Sequence, residues 1–214
     1  IFDHIPHKPS IESSDDLQRF LLMSQPWENH PFYYLATGFF LSYLILEAHH
    51  RKENSVQKFN LDFSGLKPID FVASFLKAES KPLEVTILGT VGNNCVSHCQ
   101  GGVYYAEITG VYCGEQSTKA TMYLHRTAYG VAHYSEQSVF YVENRNDQFD
   151  ENMGCFTFQS TFHTPQREAV EYFQRRYNFS ISRDETKTTI IHYDTFEKWN
   201  EVWAPAQQRL GGRP

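Results

Sequence analysis

From Leu83 to Phe162, β-branched and aromatic residues alternate with polar ones in short runs set off by turn signals. A period of two puts successive side chains on opposite faces, which is the pattern of half-buried strands. The runs are "LEVTILGTV" (83–91), "VYYAEITGVY" (103–112), "ATMYLHRT" (120–127), "SVFYVEN" (138–144) and "GCFTFQSTF" (154–162). "KFNLDFSG" (58–65) and "TKTTIIHY" (186–193) add a strand on either side. No internal repeat and no low-complexity tract is evident.

The flanks read differently. Ser13-Ser14-Asp15-Asp16 is an N-cap signal, and Leu17, Phe20 and Leu21 follow at helical spacing. Pro26 and Pro31 end that helix. Residues 32–48 are apolar and aromatic, with "ATGFF" suggesting a turn into a strand. In "KPIDFVASFLKAE" (67–79), Pro68 falls near a first turn and Ile69, Val72, Ala73 and Leu76 share one helical face. Thr164-Pro165 opens another helix toward Arg176. The fold expected from this order is α+β, with a helical start and a barrel-like β middle.

Charge and composition exclude several functions. Hydrophobic residues make up 41% of the 214, enough for a core. Net charge is −6, which argues against non-specific binding of long nucleic acid. Phe32 to Ala48 is too short and too interrupted to span a bilayer. The opening lacks the basic start and apolar run of a secretory signal, so reduced thiols in cytosol or nucleus are expected. Ile1 as first residue fits a fragment excised from something longer. "CVSHC" gathers Cys95, His98 and Cys99, with Cys113 downstream, but no second closely spaced pair completes a zinc set. His98 and Cys99 are adjacent, so on a strand they face opposite ways and cannot share a proton. The cysteines read as small interior residues, with a small metal-dependent or cysteine enzyme centred on Cys95–Cys99 as a rival reading, and no metal, cofactor or catalytic residue is expected.

"EAVEYFQRRYNFSI" (168–181) crowds aromatics and arginines. At helical spacing Tyr172 lies over Arg176 and Phe173 over Tyr177. Hydroxyls and a guanidinium could hold a phosphate while ring faces stack a base; the opposing reading buries Phe173 and Tyr177 and leaves the arginines in water.

Val170, Glu171, Tyr172, Phe173, Tyr177 and Asn178 resemble the helix-to-strand segment of PAZ domains of Argonaute and Piwi proteins. "KFNLDFSGLKPIDFVASFL", "DDLQRFL", "YYLATGFF", "VSHCQGGVYYAEITGV" and "APAQQR" are similar, in the same order, to other pieces of that linker and domain. The resemblance implies an OB-like β-barrel with an inserted β-hairpin/helix appendage, preceded by a helix-strand linker. It divides the chain into a linker at 1–66, a PAZ domain at 67–209 with a long insertion near 125–160, and a tail at 210–214. It implies a binding domain without catalysis that anchors the 3′ end of a single-stranded small guide RNA, with or without a 2′-O-methyl group, in RNA silencing. Its partners would be that RNA and the other domains of an Argonaute-like parent, with no membrane. By position, the pocket residues would be His98, Tyr104, Met122, Tyr123, Tyr172, Arg176 and Tyr177, with Tyr105, His125, Arg126, Phe196 and Trp199 as further candidates. The hairpin's usual basic run is replaced here by Val103, Tyr104 and Tyr105, which leaves a protein-interaction module as the alternative.

Overall fold

A computed structural model describes residues 11–51, 56–78, 81–143, 157–169, 171 and 188–211. The chain begins with helices α1 (Ser14–Ser24) and α2 (Tyr33–Arg51). Seven strands follow: β1 (Gln57–Phe63), β2 (Leu83–Thr90), β3 (Val103–Thr109), β4 (Thr121–Thr127), β5 (Val139–Val142), β6 (Thr161–Thr164) and β7 (Thr189–His192). Helix α3 (Phe196–Leu210) closes the described chain.

The strands form one sheet in the order β1 to β7, and every neighbouring pair is parallel. The chain therefore climbs one strand per circuit. A second line of parallel bridges runs through Lys77, Gln100, Thr118, Glu136 and Phe158 on the return path. This is an α/β assembly wound as a solenoid, with turns rather than helices in the crossovers from β2 to β5. Val103 pairs with Thr121 and Thr121 with Val139, so one circuit there takes 18 residues.

Alternation builds the core. Tyr104, Met122, Phe140 and Phe162 occupy one inward column and are fully buried. Phe140 and Phe162 stack with centroids 5.0 Å apart. Residues one step along each strand point outward: Tyr105, Tyr123, Tyr141 and His163 stack at 4.9, 4.4 and 4.3 Å. Helix α3 lies on that outer column through Trp199, Trp203, Ala206 and Leu210. Buried serines close the corners: Ser117 Oγ donates to Val96 O at 2.9 Å and Ser138 Oγ to Ser117 O at 3.2 Å.

The opposite corner turns by an unusual backbone. Positive φ recurs at alternate residues in four successive circuits: Phe71, Ala73, Phe75; Asn94, Val96, His98; Tyr112, Gly114, Gln116; and Gly130, Ala132, Tyr134. For a non-glycine residue this conformation costs on the order of 1–2 kcal/mol. Bonds between circuits offset it: Val96 N donates to Val72 O, Gly114 N to Cys95 O and Ala132 N to Cys113 O, at 2.9, 3.0 and 2.8 Å. The side chains of Val72, Cys95, Cys113 and Val131 are fully buried behind this corner.

The helices seal the first circuit. Gln18 of α1 pairs both ways with the Asp62 backbone, at 2.8 and 2.9 Å, and Ser14 Oγ accepts from Asn60 N at 2.8 Å. These side chains occupy the edge of β1, which would otherwise be open to another strand. Ser42 of α2 does the same at the turn, donating to Phe71 O at 2.9 Å and accepting from Ser74 N at 3.0 Å. At Gly38 a Cβ would run into the carbonyl of Asp70, so only glycine lets α2 come this close.

Several expectations are corrected here. An OB-like barrel is antiparallel, and this sheet is parallel throughout. The strand–hairpin–strand implied by the resemblance falls on residues 96–111, which hold a turn and then the single strand β3, paired in parallel with β2 and β4. Residues 32–48, where "ATGFF" suggested a turn into a strand, fall from Tyr33 onward in helix α2. Residues 67–79, read as a helix, contain the first turn in their described part to residue 78; Ile69, Val72, Ala73 and Leu76 are buried as expected, but not by helical geometry. An internal repeat is present, with the register of β3 to β5 set by it. β1 pairs with β2, and the buried side chains of the two strands belong to one cluster.

Candidate binding surface

The turn corner presents its side chains to solvent in columns, one residue per circuit. Parallel strands are spaced about 4.8 Å apart, so four circuits lay out a surface roughly 14 Å long. Residues 70–75, 93–98, 111–116 and 129–134 contain seven rings: Phe71, Phe75, His98, Tyr112, Tyr129, His133 and Tyr134. The same segments contain no lysine or arginine and two acids, Asp70 and Glu115. Phe75, Tyr129 and Tyr134 are 43%, 50% and 48% exposed, which is high for such rings in a stacked array.

The rings order one another. Phe39 of α2 stacks on Phe71 at 4.6 Å, and Phe75 lies parallel to His98 at 4.7 Å and 5°. Further along, Tyr112 contacts Tyr129 at 6.2 Å and His133 at 5.9 Å, and His133 meets Tyr134 at 4.6 Å. Tyr112 lies over Gly130, where an added Cβ would come within 2.6 Å of the ring. Asn93 is held at this edge by Asp70, whose Oδ1 accepts from Asn93 N at 2.6 Å, while Asn93 Oδ1 accepts from Val111 N at 3.1 Å. Asn93 and Gln116 are exposed and supply amide groups beside the rings.

A second polar group sits between α3 and the sheet. His125 Nδ1 and Glu143 Oε2 are 2.6 Å apart, and Trp199 Nε1 donates to Glu143 Oε1 at 3.4 Å. Glu143 is only 2% exposed, so an imidazole and an indole compensate a carboxylate taken out of water. His163 Nδ1 lies 2.8 Å from the Tyr193 hydroxyl, and burial holds the His163 imidazole below its ordinary value. Burial also pushes the Tyr123 hydroxyl up, reinforced by Tyr141 and Tyr105. At the far end Arg209 Nε meets Glu84 Oε1 at 2.7 Å. These groups fasten α3 to the sheet.

The residues named from sequence are dispersed. Tyr104 and Met122 point into the interior and are 0% exposed, so neither faces a ligand. The Tyr104 hydroxyl sits beside Cys99 in apolar surroundings, and burial pushes it well up. Tyr105, Tyr123, His125 and Trp199 do come together, under α3. Phe196 is 58% exposed at the start of α3, and Arg126 is exposed on β4. His98 alone joins the ring surface. Tyr172, Arg176 and Tyr177 lie outside the described residues, as does most of the 125–160 insertion beyond Glu143. Cys95, Cys99 and Cys113 are interior, and no group of three His, Cys, Asp or Glu capable of holding a metal occurs among the described residues. No helix among them is long and apolar enough to cross a membrane.

Sequence reading missed the ring surface. Its signal was the spacing: Gln116 and Tyr134 fall 18 residues apart in the column of His98, and the different side chains hid that column. No protein-family model, curated protein or solved structure matches the chain.

Proposed function

We propose that this protein is a binding module whose ring surface holds an uncharged, polyhydroxylated chain such as a neutral glycan. The observation that carries the reading is the row of seven rings over four circuits with no cation among them. Ring faces are electron-rich, so they attract the weakly positive C–H faces of a sugar. The amides of Asn93 and Gln116 and the Glu115 carboxylate stand beside the rings and can pair with hydroxyls. Within these four segments a phosphodiester meets no lysine or arginine, whereas single-strand binding combines stacking with a positive groove. Guide-RNA anchoring remains a separate proposal that rests on the resemblance alone, since its helix residues lie outside the described ones.

Calorimetric titration with neutral β-linked and α-linked glucan hexamers, alongside a ten-nucleotide single-stranded RNA, tests the reading. Binding of one glucan that is insensitive to salt, and weakened about tenfold or more in Tyr129→Ser/Tyr134→Ser, is expected; tenfold corresponds to about 1.4 kcal/mol, the scale of one stacking contact. Salt-sensitive RNA binding without glycan binding, or glycan binding indifferent to the double substitution, refutes it.

A further inference from the structure

A cleft opens between α1, the turn after it and α2. Its volume is about 440 Å³, within the range of small-molecule sites. Phe20, Met23, Trp27, Phe40 and Leu44 form its walls. Phe20 and Phe40 brace each other at 5.1 Å. Met23 and Trp27 are 71% and 69% exposed, so the walls present bare apolar surface to water. Covering such surface is favourable at roughly 25 cal/mol per Å².

The rim carries two charges, and they are not equivalent. Asp16 is committed to the start of α1: its Oδ2 accepts from Glu12 N and Ser13 N at 3.1 Å and from Ser13 Oγ at 3.0 Å. Those bonds hold its carboxyl below the usual range, the Glu12 amide foremost. Arg19 lies one turn further on, also lines the cleft, and makes no ion pair among the described residues. Its guanidinium offers five donors in a planar fork suited to a carboxylate or sulfonate.

We propose that this cleft binds a small anionic amphiphile, with its apolar body along Phe20, Met23, Trp27 and Leu44 and its acid group on Arg19. The apolar walls select a hydrocarbon or aromatic body, and Arg19, which makes no salt bridge among the described residues, selects the sign of the head. Leu22, Phe32 and Leu35 are exposed on the same tip, so the same chemistry could be met in a bilayer; the assay separates the two sources.

The assay titrates the full chain with 1-anilinonaphthalene-8-sulfonate, following dye fluorescence, and then displaces the dye with decanoate or decanol. Decanoate is expected to compete about tenfold better than decanol, the value of one charge-assisted bond. Arg19→Gln should remove that difference while decanol competes as before. Met23→Glu, at an exposed position, should weaken dye and decanoate together. Absence of dye binding, equal competition by acid and alcohol in the parent protein, or an unchanged preference in Arg19→Gln overturns the proposal. Binding only to vesicles containing anionic lipid, with no displacement by free decanoate, overturns it too.

Discussion

Replacing Gly130 with alanine probes how the ring surface is held. Gly130 has φ +79°, and a Cβ there would stand 2.6 Å from Tyr112 Cδ1 and 2.7 Å from Cε1. Two costs arise. The left-handed backbone costs an alanine on the order of 1 kcal/mol or more. The Tyr112 ring must then swing away, at about 0.5–1.5 kcal/mol for an off-rotamer side chain, with further loss of its contacts. The sum is roughly 2–3 kcal/mol. Gly65 supplies the control, because its φ is +78° and nothing lies within 4 Å of an added Cβ. Gly65→Ala should cost about 1 kcal/mol, from the backbone alone. Urea unfolding followed by circular dichroism reads both as shifts of midpoint at constant slope. Tyr112→Ala removes the obstacle, so the Tyr112→Ala/Gly130→Ala pair should cost about 1 kcal/mol less than the two single changes together. If Gly130→Ala costs no more than Gly65→Ala, or if the pair is additive, Tyr112 does not rest on Gly130 and the ring surface is not built as described.

Two further outcomes follow from buried groups. His49 is 1% exposed; burial, then His50 and Lys81, holds its imidazole below the ordinary 6.5, and burial does the same to His163. In acid the unfolded chain takes up these protons first, so stability is fully present above about pH 6.5 and declines as pH falls through the lower folded values. Urea midpoints between pH 7.5 and 5 should show that decline, and His49→Leu should flatten it; an equal slope in the variant contradicts the assignment. Burial pushes the Cys99 thiol up to about 12 and the Cys95 thiol well up, with Cys113 and Cys99 adding to the effect on Cys95. In a Cys155→Ser background, Ellman's reagent at pH 8 should find no fast thiol in the folded protein and react with Cys95, Cys99 and Cys113 in denaturant; rapid labelling of the folded form contradicts their placement.

Local pattern and overall winding were unequally visible in the sequence. Alternation is clearest in β1, where Phe59, Leu61 and Phe63 are buried against exposed Lys58, Asn60 and Asp62. Ser13 and Asp16 announced the start of α1, and they form the reciprocal cap. Direction was not visible, because a half-buried strand alternates alike in parallel and antiparallel sheets. The circuit was hidden by chemistry: His98, Gln116 and Tyr134 share a column yet share no side-chain type. The segment from Ile69 to Leu76 shows why spacing misled. Apolar residues three and four apart also suit a corner that alternates between left- and right-handed backbone, and Phe71, Ala73 and Phe75 adopt the left-handed form. In α2, Gly38 and Ser42 looked like interruptions; they are the points where the helix meets the first circuit. The proposed pocket residues scattered because the resemblance laid a hairpin on 96–111, where the chain makes a turn and one strand of a parallel sheet, and Tyr104 and Met122 share an inward column.

The 18-residue circuit makes length a discrete variable in this molecule. An insertion or deletion of one whole circuit between β3 and β5 keeps every column in line, whereas any other number throws His98, Gln116 and Tyr134 out of file. Each added circuit would extend the ring row by about 4.8 Å and leave the helical seal at α1 and α2 untouched. Reach along a ligand can therefore change in fixed increments without redesign of either end, much as a ruler is lengthened by whole divisions.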